Sequence, residues 1–157
     1  MIRQSQRSLR YSGENTMNLY LFYGSETYLR RVNKQRVLAK LFPGEDVSEI
    51  EQNSMNFVKF TGEKTSLRDV IEQAETMPFL ADYRVILCED TGFFKHADDD
   101  FTDFLSHIPE SAVLIFIERE ADARLKAFKV AKEVGTVTEL KMPADDKLSV
   151  WIVRRVK

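Results

Sequence analysis

Few side chains in this chain could do covalent chemistry, and the first candidates stand at Gly24-Ser25-Glu26, directly after the apolar run Leu19–Tyr23. A phosphate-binding loop would lie at such a strand-to-helix turn. It needs a second glycine and a Lys-Ser/Thr pair, so that backbone N–H groups and an ammonium enclose the phosphates. Here Gly24 stands alone, and the Glu26 carboxylate would repel an anion. Glu89-Asp90 follows the run Val85–Cys88, where an NTPase would hold magnesium, but with no loop to bring phosphate it reads as turn and capping residues. His96 and His107 sit in polar surroundings, outside His-x-x-x-His spacing and with no cysteine nearby, so zinc has no ligand set. No serine lies in a Gly-x-Ser-x-Gly elbow. Cys88, the only cysteine, falls inside an apolar run and reads as a buried structural thiol. It leaves no intrachain disulfide, in keeping with a reducing cytoplasm. The run Asp98-Asp99-Asp100 is expected to cap a helix rather than bind metal. These residues make neither a catalytic set nor a cofactor site.

What remains is apolar. In Glu75-Thr76-Met77-Pro78-Phe79-Leu80-Ala81-Asp82-Tyr83-Arg84 a helical pattern ends at a proline just before a buried-looking strand. Phe79 and Leu80 therefore fall on a helix-to-strand corner, and corners lie at the surface. Two large apolar side chains there are either tucked back onto the core or held out for a partner. Position alone favours the tucked arrangement, because most such residues are core.

The elements that must carry this corner are those of an α/β domain. With 157 residues, 43% hydrophobic and 31% charged, the chain suits one soluble domain with a proper core. A net charge of -2 gives no overall basic field, so any nucleic-acid contact would be local or indirect. Short apolar runs predict strands over Leu19–Tyr23, Asn56–Phe60, Arg84–Cys88, Val113–Ile117 and Thr136–Glu139. Apolar positions three or four apart predict helices over Glu26–Leu41, Ser66–Met77, Asp99–Ser106 and Ala121–Val134. Ser66 with Asp69 resembles a capping box, and Gly135 stands where a C-cap would. Lys126, Lys129 and Lys132 form a basic helix face, read as solvated surface rather than a DNA contact. Strand alternating with helix implies a five-stranded, mostly parallel sheet flanked by helices. Residues 1–16 lack the apolar centre of a secretory signal and read as a flexible tail, with a transit peptide the lesser alternative. No run reaches the length of a membrane span.

Four segments in this order carry a resemblance. The opening Leu19-Tyr20-Leu21-Phe22-Tyr23-Gly24-Ser25-Glu26-Thr27-Tyr28-Leu29 is similar to that of the delta subunits of bacterial DNA polymerase III clamp loaders, with an apolar strand, Tyr-Gly, an acid two residues on and Tyr-Leu. Phe57–Phe60 before Gly62, Ala74–Leu80 leading to Arg84-Val85-Ile86, and Val113–Glu118 continue the match, which extends from Met17 to Lys157. The resemblance implies an AAA+-like (P-loop NTPase-like) domain over 17–143 without a functional P-loop. It implies a grip on the sliding clamp that helps to open the ring, with no ATP hydrolysis and no cofactor. It places the clamp-binding wedge at Phe79 and Leu80 with Met77 alongside; Pro78 is a departure, since the family does not require proline there. Asp145–Lys157, with Leu148, Trp151, Ile152 and Val156 on one stripe, would begin a second, lid domain over 144–157. Other loader subunits would then be met through further C-terminal domains, DNA indirectly or weakly, and no membrane. One different class stays open, a receiver-like phosphoacceptor using Asp90. It would need an acidic pair directly after the first strand, where Glu26 offers one displaced acid.

Overall fold

In a computed structural model, which describes residues 18–141, five strands form one sheet in the order β2-β3-β4-β1-β5. They are β1 (Leu19–Tyr23), β2 (Phe57–Thr61), β3 (Arg84–Glu89), β4 (Ala112–Glu118) and β5 (Thr136–Glu139). All four pairings are parallel; Leu19 registers with Leu114 and Tyr20 with Thr136, so β1 lies between two strands that come much later in the chain. The helices are α1 (Thr27–Leu41), α2 (Val47–Asn53), α3 (Leu67–Ala74), α4 (Asp99–Ser106) and α5 (Lys126–Val134). The tail 1–16 and the lid segment 144–157 lie outside the described residues.

Burial explains the strand sequences. All seven residues of β4 are buried, as a parallel strand covered on both faces requires, whereas the edge strand β2 buries only Phe57 and the edge strand β5 has half-buried and exposed positions alone. Alternation along the inner strands divides the core. Leu19, Leu21, Ile86, Cys88, Leu114 and Phe116 point to the layer of α3, α4 and α5. Tyr20, Phe22, Val85, Leu87, Val113 and Ile115 point to the layer of α1 and α2, where Leu38 and Ile50 meet them. Phe94, from the segment between β3 and α4, closes the first layer. Its ring centroid lies 5.0 Å from that of Phe101 and 5.2 Å from that of Phe116, both edge-on.

Several boundaries differ from the sequence expectation, most for a local reason. The helix expected to run to Met77 ends at Ala74, because the Glu75 and Thr76 N–H groups turn back to Ile71 and Gln73, well before Pro78. Ser66 stands at its N-cap without a side-chain hydrogen bond, so the capping box is not made. The last helix starts at Lys126 rather than Ala121, since Asp122 folds the preceding residues into a turn by accepting from the Arg124 N–H and guanidinium. The second strand begins at Phe57, one residue later than expected, although the Asn56 carbonyl already accepts the Val85 N–H of β3. Helix α2 was not anticipated at all; Asp46 caps it by accepting from the Ser48 N–H at 2.9 Å. Gly135 does end α5, but in extended backbone, and a Cβ there would lie 2.4 Å from the Leu19 carbonyl oxygen.

Candidate functional site

Open α/β sheets bind ligands beyond the carboxyl ends of their strands, so that end comes first. Gly24 leaves β1 with φ +146, and a Cβ on it would lie 2.4 Å from the Leu140 carbonyl oxygen. Leu140 in turn donates its N–H to the Tyr23 carbonyl at 2.7 Å. The lone glycine thus makes room for the chain leaving β5, not for a phosphate. Beside it Arg30, from the first turns of α1, places its guanidinium 2.5 Å from Asp90, and Arg119 approaches the same carboxylate at 3.8 Å. Glu89 faces Lys59 at 3.2 Å and Lys34 at 3.9 Å. The acids expected to serve turns and caps are therefore ion-paired across the strand ends. Asp90, the residue that a receiver-like phosphoacceptor would use, is the partner of Arg30 in this set.

Glu118, at the end of β4, completes this closure. Its carboxylate accepts from the Gly92 N–H at 2.9 Å, the Thr91 hydroxyl at 2.7 Å and the Thr91 N–H at 3.2 Å. Burial pushes its pKa up, and the three donors work against that shift. The recess that remains, bordered by Glu63, Asp90, Gly92, Lys95, Glu118, Arg119 and Glu120, measures about 70 Å³. Small-molecule sites run to roughly 300–1,000 Å³, so this one is too small for a nucleotide, and four of its borders are acids. Cys88 is fully buried in β3, and burial, with the Glu118 charge adding to it, drives its thiol well above the ordinary range. His96 and His107 lie beyond opposite ends of α4, and Lys126, Lys129 and Lys132 are exposed along α5.

The apolar corner lies at the other end of the sheet, where β2 and β3 begin. Phe79 is 55% exposed, Met77 69% and Leu80 90%, so the side chains are held out rather than tucked. Leu80 has φ +53, in the left-handed region that a branched side chain enters at a cost of roughly 1–2 kcal/mol. Two side chains fix the backbone around it. Asn56 donates from Nδ2 to the Phe79 carbonyl at 2.8 Å and accepts the Phe79 N–H on Oδ1 at 2.6 Å. Arg84 donates from Nη1 to the Met55 carbonyl at 2.7 Å and from Nε to the Gln73 carbonyl at 3.2 Å, with Nη2 reaching Gln73 Oε1. Met55, next to Asn56, is itself 66% exposed. Sequence reasoning named Met77, Phe79 and Leu80 but passed over Met55 and Asn56. A lone polar residue opening a strand was the only local sign of Asn56, and its partner lies far along the chain.

A family model described as DNA polymerase III, delta subunit matches residues 20–141. A search of curated proteins found no match. Among solved structures, the DNA clamp loader delta protein of Bacillus subtilis is similar at a TM-score of 0.72 and 20% identity, over 98% of this chain and 46% of that one. A DNA polymerase III gamma subunit-related protein of Thermotoga maritima is similar at a TM-score of 0.56 and 14% identity, over 90% of this chain and 47% of that one. The chain thus spans about half the length of these two structures, and its fold is the five-stranded parallel sheet flanked by helices expected from the alternation of strands and helices.

Proposed function

Because the chain belongs to the DNA polymerase III delta subunit family, we propose that it docks on the ring-shaped sliding clamp through Met77, Phe79 and Leu80, and helps to open the ring for loading onto DNA. The observation that carries this reading is the exposure of Phe79 and Leu80 on a corner whose backbone is hydrogen-bonded in place. An exposed aromatic and an exposed leucine cost solubility in a free protein and gain it back in an apolar pocket on a partner. In this reading the chain hydrolyses no ATP itself; the crowding of Gly24 by Leu140 and the Arg30–Asp90 pair at the strand ends support it. Other loader subunits, in the cytoplasm, supply the nucleotide chemistry and reach this chain's protein through parts beyond the described residues. DNA is met indirectly, through the clamp, or weakly. No helix among the described residues is long and apolar enough to cross a membrane.

The test is Phe79→Ala combined with Leu80→Ala, measured for urea midpoint and for binding to a purified bacterial sliding clamp by surface plasmon resonance. Apolar anchors at the centre of an interface cost on the order of 2 kcal/mol or more each when cut to alanine. Binding should be lost with the midpoint nearly unchanged, since neither side chain is buried in the free chain. Retained binding would remove the corner from the interface.

A further inference from the structure

The corner is strained where it is most exposed, and that combination asks what holds it. Leu80 occupies the left-handed region with almost no packing around its side chain, so burial does not compensate the backbone cost. Pro78 fixes one φ before it but donates no hydrogen bond. The preceding residue, Phe79, has both backbone polar groups bound by one side chain, the amide of Asn56, in a two-bond arrangement that copies a strand pairing. Asn56 is itself anchored. It is only 9% exposed, its carbonyl accepts the Val85 N–H at 2.7 Å at the start of β3, and its N–H donates to Ser54 Oγ at 3.1 Å.

We propose that Asn56 is a positioning residue that presets the docking conformation of Phe79 and Leu80 in the free protein. This rests on the clamp-docking reading above. Asn56 need not touch the clamp. Its amide ties the corner to the first residues of β2 and β3, so the two apolar side chains are presented together before a partner arrives. Without the amide, the Phe79 N–H and C=O turn to water, Leu80 relaxes out of the left-handed region, and only a fraction of molecules offers the binding-competent corner. Apparent affinity falls by that fraction. The loss is in association rather than dissociation, because a corner already seated in a pocket is held by its own contacts.

Asn56→Ala in this chain should slow association with a purified bacterial sliding clamp by about tenfold, as expected if the competent fraction drops to roughly a tenth. Dissociation should stay within about twofold, and Phe79 amide exchange should rise to about the rate of a free peptide. Asn56→Asp keeps an acceptor for the Phe79 N–H but loses the donor to its carbonyl, so it should fall between wild type and Asn56→Ala. It also serves should the alanine variant fail to fold. Unchanged association, or faster dissociation with association unchanged, would overturn the proposal. So would a Phe79 amide that exchanges in wild type as fast as in a free peptide. The two readings fail separately: if Phe79→Ala with Leu80→Ala still binds like wild type, the docking surface is wrong, and the exchange rate of the Phe79 amide still decides whether Asn56 holds the corner.

Discussion

Glu118 shows what one side chain does to close the conventional ligand end of the sheet. Burial raises its pKa above 4.5, while donors from Thr91 and Gly92 pull the other way. The folded chain therefore holds this proton more tightly than the unfolded chain does. Its contribution to stability is unpenalised below the unfolded value of 4.5 and declines as pH rises through the higher folded value. A carbon-detected NMR titration should place the Glu118 midpoint above 4.5; a midpoint below it would mean that the three donors outweigh desolvation. At this scale the sequence was partly legible. Cys88 in an apolar run announced a buried thiol, but Glu118 at the end of the same kind of run gave no sign of its donors. They come from a loop that is near only once β3 and β4 are paired. Asn56 was illegible for the same reason, its side-chain hydrogen bonds being made to Phe79 in the segment between α3 and β3.

Elements were legible in proportion to how much of their pattern lies within them. Strand β1 and helix α4 fall on the predicted residues, the one a solid apolar run, the other opened by Asp98, which accepts from the Phe101 N–H at 3.1 Å. Helix α2 buries only Ile50, too little for a periodic signal, although Asp46 followed by Glu49 was a start signal in plain view. The outward set of Met77, Phe79 and Leu80 came from family resemblance, since apolar residues after a proline look alike whether tucked or exposed. Protection should follow position in the sheet. β4 pairs on both sides and is wholly buried, whereas the four-residue β5 pairs with β1 alone. Native-state hydrogen exchange should find the β4 amides slowest and β5 opening with a smaller free energy. Equal protection of the two would show that the sheet opens only as a unit.

At the scale of the whole sheet, its two ends differ in character. The carboxyl ends are taken up by ion pairs and by the close approach of Leu140 to Gly24, while the amino ends present the apolar corner. Millimolar Mg-ATP is therefore expected to leave the melting temperature unchanged, whereas a ligand at about 100 times its dissociation constant would add roughly 2.7 kcal/mol. A reproducible upward shift in a thermal melt would reopen the Gly24 turn as a nucleotide site. The fold class was readable because alternating strands and helices leave a parallel sheet as the compact solution. Which end of that sheet is closed by ion pairs was not, since pairing across strand ends depends on the strand order.

That strand order also bears on how the chain is made. Of the five strands described, β1 leaves the ribosome first, yet its neighbours are β4 and β5, so it has no partner among those synthesised soon after it. At roughly 5–20 residues per second, the interval between Tyr23 and Ala112 corresponds to on the order of ten seconds of translation. Throughout that time Leu19-Tyr20-Leu21-Phe22-Tyr23 is an unpaired, wholly apolar segment on a growing chain. Co-translational folding can thus begin with β2 and β3, which pair across a single helix, but the centre of the sheet closes only when β4 emerges to insert between β3 and β1.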